Sequence, residues 1–465
     1  MNEENLTNIY SFLKVNGFIN QNAEIYGGFS KSWDLGINGS LLKNNIKELW
    51  MNFFVKSRSF NYLFDSPILT HEKILEASGH KKNFSDWIIF CKKCKSKFRI
   101  EQFLNDIENK HFFSLSDDKK EQFSISKVCK CGSAFTFNKP KKVNLMLETS
   151  INIEPKNEAE NQTVFLRPET CQGIFINFKN LMRDIKKEPP FGIAQIGKSF
   201  RNEITLNHGI FRTREFEQAE LEFFTYEEGK KEWWNYWINK SKIFFKKIIE
   251  NENLISNIEI PNVELPHYSL KTLDLHFRYQ FGWGEICSIS DRGDYDLKNH
   301  SEKSSVFLGI RKENKKIYPN VIEISFGIER TMLAIFESSY KEENIRNKNS
   351  IRRYLSIHPL LSPYLVSVMP LSKQLKNKAK EIYLNLLKLN SFSVSYEETG
   401  NIGNRYRRQD SIGTKFCITI DFETEKKNEV TIRERDTMKQ ETLKIDEISN
   451  FLFNFITKER INFIE

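Results

Sequence analysis

Three stretches of the chain alternate apolar and polar residues with a period of two, the spacing of a strand with one face in a core. In residues 195–203 (QIGKSFRNE), Ile196 and Phe200 share one face, and Gly197, Ser199, Arg201 and Glu203 the other. Residues 216–224 (FEQAELEFF) set Ala219, Leu221 and Phe223 against Phe216, Gln218 and Glu220. Residues 321–327 (VIEISFG) set Ile322, Ile324 and Phe326 against Glu323, Ser325 and Gly327. These strands fall within residues 143–336, which predict a largely antiparallel sheet. Ahead of them the chain predicts a helix-rich stretch to about residue 84. After them, the polar run 341–353 predicts a linker. A small α/β unit then follows, with strands at 364–369, 392–397, 415–421 and 429–435, and helices between and after them.

The polar faces change the picture from fold to chemistry. Arg201 and Glu203 stand on an otherwise small-residue face, which leaves an open floor for a ligand. Arg212 and Arg214 lie in the loop that follows. Forked guanidinium donors suit triphosphate oxygens, and Phe216 offers a ring to a purine. The third strand runs through Gly327 into a helix whose first turn holds Arg330, a site suited to an anion. Alternation alone also permits a blander reading, solvated sheet faces with surface ion pairs.

Charge and composition add less. A net charge of +9 suits a polyanionic partner such as RNA. A generally basic proteome gives the same figure, and the heavy use of Lys, Asn, Ile and Phe points to an AT-rich gene. A chain of 465 residues implies two or three domains. No run of about 18 apolar residues predicts a membrane span. Glu3 and Glu4 head an N-terminus with no apolar signal region, so the cytoplasm is the expected location. Seven cysteines do not make a disulfide framework in a chain this long. Four of them form close pairs, Cys91-x-x-Cys94 and Cys129-x-Cys131, a set suited to tetrahedral zinc with a structural role. A relic site, now empty, is the other reading. Cys171, Cys287 and Cys417 are single and read as packing residues.

The same segments resemble motifs 2 and 3 of class II aminoacyl-tRNA synthetases, in detail those of the homodimeric glycyl-tRNA synthetase type. Residues 25–46 (IYGGFSKSWDLGINGSLLKNNI) are similar to the opening that leads into the dimer-forming motif 1. FLRPETCQGIFINFKN (165–180) resembles the RPET block. GIAQIGKSFRNEI and FRTREFEQAELEFF look like motif 2, and VIEISFGIER like motif 3. ETGNIGNRYRRQDSIGTKF (398–416) and RERDTMKQ (433–440) resemble the anticodon-binding domain. The likeness runs in order along nearly the whole chain. It implies an α+β fold: a class II antiparallel sheet flanked by helices, plus a C-terminal α/β anticodon-binding domain. The expected divisions are 1–85 for the N-terminal part of the catalytic domain with motif 1, 86–142 for a cysteine-containing insertion, 143–355 for the catalytic domain with motifs 2 and 3, and 356–465 for the anticodon-binding domain.

The resemblance also implies glycine, ATP with Mg2+ and tRNA(Gly) as ligands, a glycyl-adenylate intermediate, a homodimer, and no membrane partner. Arg201 would hold the α-phosphate, Glu203 the adenine amino group, Arg212 and Arg330 the outer phosphates, and Glu285 magnesium. Asn202, Phe211, Phe216, Ile286 and Gly327 complete the implied ATP set. Glu169 and Glu220 suit the glycine ammonium, with Ser325 and Glu323 closing the pocket. Arg99 and Arg292 suit the carboxylate end, and Phe216, Gln218 and Gly327 complete that set. Alternation puts Glu285 and Arg292 on opposite faces, so a bend must intervene if both line one site. The chain departs from the family pattern at Ile37, Cys171, Leu206, Asn207, Gly293 and Ile324.

For the dimer, Leu42, Ile46 and Leu49 offer an apolar helical stripe, which an ordinary core helix would share. For RNA, Arg405, Arg407 and Arg408 beside Tyr406 suit phosphates and unstacked bases; a solvated basic helix face is the alternative. Two other functions use the same residues. A class II synthetase for serine or proline is opposed by the RPET block and FEQAE. A tRNA-binding relative without catalysis is opposed by the presence of Arg201, Glu203, Glu220 and Arg330.

Overall fold

The computed structural model describes residues 3–29, 32–91, 93–123, 128–129, 131–133, 140–151, 162–203, 208–312, 315–344 and 351–464. Its centre is a seven-stranded sheet. The strands are β1 (Asn61–Leu63), β2 (Phe191–Phe200), β3 (Glu215–Thr225), β4 (Ile255–Glu259), β5 (Lys271–Tyr279), β6 (Gly282–Gly293) and β7 (Asn320–Gly327), in the order β4-β5-β6-β7-β3-β2-β1. Every pairing is antiparallel except β1 with β2.

Register explains the two faces. Ile196 pairs with Ala219 and Ala219 with Phe326, while Leu221 pairs with Ile324 and Phe223 with Ile322. All but the half-buried Ile196 are buried in one core with helices α1 (Ile37–Met51), α2 (Lys230–Ile248) and α4 (Ile328–Ser339). α2 supplies Trp237, Phe244 and Phe245 from one stripe. Phe326 meets the rings of Trp50, Phe54, Phe244 and Phe245. Burying one such side chain stabilises the fold by about 1.5–3 kcal/mol, so this apolar face holds the sheet flat against its helices. The opposite face is left for Gln218, Glu220, Ser325 and Gly327, which also pair across β3 and β7.

Strand β6 contains two irregularities. Leu275 of β5 pairs with Cys287, but the next residue, His276, pairs with Glu285, so Ile286 bulges. The extra residue inverts the alternation, and Glu285 joins the face of Ser288. This is the bend required by Glu285 and Arg292. A second shift at Arg292 ends the strand at Gly293, whose φ of 55° is left-handed. A Cβ there would meet Leu270 at 3.0 Å, so the glycine serves this turn.

The first 84 residues are helix-rich, as expected, with short strands between the helices, among them Ile19–Gln21, Trp33–Leu35 and Leu69–His71. Three residues are too few to show a period. Two sequence expectations need correction. The polar run 341–353 overlaps a two-stranded ribbon, Tyr340–Asn344 with Ile351–Leu355. Cross-strand ion pairs, Arg353 with Glu342 and Arg352 with Glu343, take the place of apolar alternation. Leu42, Ile46 and Leu49 are buried in the protomer's own core and form no external stripe.

The C-terminal sheet has five strands in the order 394–396, 366–370, 416–420, 429–434, 440–444. The first three run parallel and the rest antiparallel. It has its own core. Ile357, Leu361, Ile412 and Phe463 nevertheless belong to the large core of the central sheet, and Phe463 meets the rings of Phe53 and Phe244.

Candidate active site

The polar face of the sheet forms the floor of a cleft of about 590 Å³. Phe216, Gln218 and Glu220 reach it from β3, Ser325 and Gly327 from β7, and Asp274, Glu285 and Ser288 from β5 and β6. Arg201, Glu203, Phe211 and Arg212 come from the loop between β2 and β3, Arg330 from the first turn of α4, and Arg99 from the strand Lys97–Arg99. A larger cleft, about 880 Å³, lies between α1 and the C-terminal unit, but it is lined mainly by asparagine, leucine and serine.

At one end, carboxylates are held by donors. Glu220 accepts from the Thr170 backbone (2.8 Å) and hydroxyl (2.5 Å), from Ser325 (2.8 Å) and from Gln218 (2.8 Å). Glu169 accepts from Cys171 and Gln172, both at 2.9 Å, and lies 3.2 Å from His80 Nε2 and 3.6 Å from Arg292. Burial opposes charge on Glu169, but His80 and Arg292 outweigh it and hold the carboxyl well below its usual range. Glu323 bonds Arg292 at 2.5 Å. Burial, then the neighbouring Glu220 and Glu169, push the Glu323 carboxyl up to about 8 in spite of that arginine.

At the other end stand arginines. Arg201 donates from Nε to the Pro168 carbonyl (3.0 Å), and its guanidinium lies 5.3 Å from both the Phe84 and Phe216 rings. Its Nη groups make no hydrogen bond among the described residues, so they face the cleft ready for an anion. Arg330 pairs with Glu285 at 3.0 Å and stacks 4.7 Å above Phe211. Burial lowers the pKa of Arg212; Glu203, 3.8 Å away, opposes this, and the charges of Arg330 and Arg99 add to it. Mutually repelling guanidiniums mark a place for an anion.

Three residues of the expected set do not line the cleft. Arg292 is buried beneath it, donating to Asp296 at 2.7 and 2.9 Å and to Glu323, with Tyr268 stacked 3.7 Å away. Ile286 is wholly buried and packs in the apolar core, as a bulged residue facing away from the polar floor. Asn202 is half-buried at the rim and donates its backbone N–H to the Leu145 carbonyl at 2.6 Å. Sequence reasoning missed His80, Thr170, Gln172, Tyr268 and Asp296. Only Thr170 and Gln172 carried a signal, their place within the RPET block. Of the departures, Ile324 is core, Ile37 is 75% exposed, and Leu206 and Asn207 lie outside the described residues.

Away from the cleft, Cys91 lies 3.7 Å from Cys131 and Cys94 lies 3.7 Å from Cys129, and all four sulfurs fall within 4.8 Å of one another. Tetrahedral thiolates bonded at about 2.3 Å to zinc sit roughly 3.8 Å apart, so the group can hold a metal ion. Ser96, then Cys91, bring the Cys94 thiol down to about 6.

Comparison with known proteins fixes the family. Residues 153–339 match the tRNA synthetase class II core domain (G, H, P, S and T), and residues 365–454 match an anticodon binding domain. The glycine–tRNA ligase of Mycoplasma capricolum subsp. capricolum is 46% identical over 97% of this chain and 98% of its own. That of Alkaliphilus metalliredigens is 42% identical over 99% of both. The chain belongs to the glycine–tRNA ligases. In fold, this ligase also resembles a prolyl-tRNA synthetase from Cryptosporidium parvum, with a TM-score of 0.62 at 13% identity over 98% of this chain and 78% of that one. No described helix of the ligase is long and apolar enough to cross a membrane.

In the C-terminal unit, helix α5 (Ile402–Ile412) corrects one expectation. Arg405 is buried and donates to the carbonyls of Pro370 and Gly400. Arg408 pairs with Glu397, and Tyr406 bonds Thr419 at 2.5 Å. Arg407, with Arg408, remains exposed.

Proposed function

We propose that this chain attaches glycine to tRNA(Gly) through a glycyl-adenylate, using the 590 Å³ cleft for both reactants. The observation that carries the reading is its polarity: fixed carboxylates at one end, aromatic-clamped arginines at the other. Glycine offers an ammonium and a carboxylate and nothing else. Glu169 and Glu220 hold the ammonium, Glu323, Ser325 and Gln218 close the space around it, and Arg99 attracts the carboxylate. Arg292 acts from below, by fixing Glu323 and Glu169. Arg201 then stabilises the charge that grows on the α-phosphate as the carboxylate attacks it and pyrophosphate leaves. Arg212 and Arg330 grip the outer phosphates, Glu203 takes the adenine amino group, Phe216 and Phe211 flank the nucleotide, and Gly327 leaves room at the start of α4. Glu285 is the carboxylate for magnesium, which when bound neutralises phosphate charge. No nucleophilic side chain is used; the site works by position and charge.

The four-cysteine group takes a structural zinc. Ile25, Tyr26, Phe29 and Ile37 are exposed apolar residues around motif 1 and support a homodimer; a monomeric mass in light scattering would count against it. The exposed Arg407 and Arg408 support anticodon binding by residues 356–465, and the protein is expected in the cytoplasm. The test of function is ATP–pyrophosphate exchange with glycine, alanine, serine and proline. Exchange with glycine alone is expected, since an added methyl meets fixed walls. Equal exchange with alanine would overturn the assignment.

A further inference from the structure

Glu222 is a carboxyl that the proposed mechanism does not use. It stands on β3 two residues beyond Glu220, on the same side of the sheet, and directly opposite Glu323 in the β3–β7 register. It is fully buried, and neither of its oxygens meets a hydrogen-bond partner. An oxygen of Glu222, one of Glu220 and the Cys171 sulfur all lie within 4.8 Å of one another. The charged groups facing it are Glu323 from β7, Glu220 on its own strand, Arg292 from β6 and Asp296 from α3 (Tyr295–Ser304). Arg292 spends its donors on Asp296 and Glu323. Arg292, the cation among these four, is therefore committed elsewhere, and the other three are acids.

A buried carboxylate with no donor is costly, and the group takes up a proton instead. The direction of its titration agrees: burial, then Glu323, push the Glu222 carboxyl well above its ordinary range, with Arg292 opposing. Resting on the glycine assignment above, the floor gains a positive charge when the substrate ammonium reaches Glu220 and Glu169, next to this pair of acids.

We propose that Glu222 stores a proton in the empty cleft and releases it to solvent when the glycine ammonium binds, so that the charge of the floor matches its occupant. Glu222 is thus a positioning residue: it touches no substrate and acts through the charge of Glu220 and Glu323. The balance is simple. One carboxylic O–H ionises, the proton passes to buffer, and the ammonium supplies the countercharge. Linkage then requires glycine to bind more tightly as pH rises towards the range where the free site has already lost the proton.

The test is calorimetry of glycine binding to the full-length protein in buffers of different ionisation enthalpy at neutral pH. The wild type should release a fraction of a proton approaching about one per glycine. Glu222→Gln, of the same shape, should still bind glycine but release clearly less than the wild type, any remainder coming from Glu323, and its affinity should depend less on pH. Buffer-independent heats in the wild type would overturn the inference, as would full proton release by Glu222→Gln. Absence of any glycine heat overturns the glycine site itself, a separable result. Should the variant not fold, infrared difference spectra of the wild type serve: glycine should bleach a protonated-carboxyl band, and an unchanged band refutes the proposal.

Discussion

Replacing Arg292 by glutamine removes the one guanidinium beneath the cleft and leaves its partners in place. Arg292 has no exposed side-chain surface, and it holds Asp296 by two hydrogen bonds of 2.7 and 2.9 Å and Glu323 by one of 2.5 Å. Its plane lies 3.7 Å from Tyr268. Removing one member of such a buried group strands the others and costs about 3–5 kcal/mol. For a unit of this size that is a fall in unfolding temperature of about 5–10 °C. The loss must depend on pH. Glu169 has its folded pKa depressed, against burial, by His80 and Arg292. A depressed carboxyl contributes stability above its unfolded pKa and loses it as pH falls through the folded one. The gap between wild type and Arg292→Gln should therefore be widest at neutral pH and shrink in acid. Scanning calorimetry from neutral to acid pH, with glycine KM at each pH where both proteins are folded, measures it. A variant that melts within about 2 °C of the wild type at neutral pH, with an unchanged KM, refutes the view of Arg292 as the support of the floor.

Other outcomes follow from single sites. Arg201→Ala should lower glycine-dependent pyrophosphate exchange by roughly 10²–10³-fold while the melting temperature holds; a loss under tenfold would place the α-phosphate elsewhere. The purified protein should carry one zinc, and Cys94→Ser should lose it and expose the insertion to protease, with metal analysis and limited proteolysis as the checks. Arg407→Glu should raise the KM for tRNA several-fold and leave exchange untouched, a split that steady-state kinetics reads directly.

A cut at residue 356 is a poorer test of the C-terminal unit than its sequence suggests. It strips Ile357, Leu361, Ile412 and Phe463 from the large core, so lost exchange would report damage to the catalytic body. Four of the unit's five strands were legible to within about two residues, because alternation and a Gly-containing turn mark them; the edge strand Gln440–Lys444 was not. What did not show was the tail of the last helix reaching across to Phe53 and Phe244.

The floor was legible for a similar reason. Phe216, Gln218, Glu220, Ser325 and Gly327 share one face because strict alternation survives through β3 and β7. Arg292 was legible as a charged residue near the site but not as a buried one, since burial depends on Asp296 and Glu323 from other elements. His80 and Tyr268 come from segments without periodicity and meet the site only through the fold. The arginines of α5 divide into buried Arg405, held by the Pro370 and Gly400 carbonyls, and exposed Arg407 and Arg408, a division that a run of similar residues hides.

The bulged Ile286 gives strand β6 two reading frames. Residues after it point by one parity and residues before it by the other. The bulge, rather than composition, sets which way Glu285 points. Were the strand to pair regularly with no residue lost, Ile286 opposite His276, the Glu285 carboxylate would turn into the layer of Leu275 and Cys287, and Arg330 would lose its partner at the mouth of the cleft. In this strand the pairing of residues, as much as their identity, keeps a charge in the cleft.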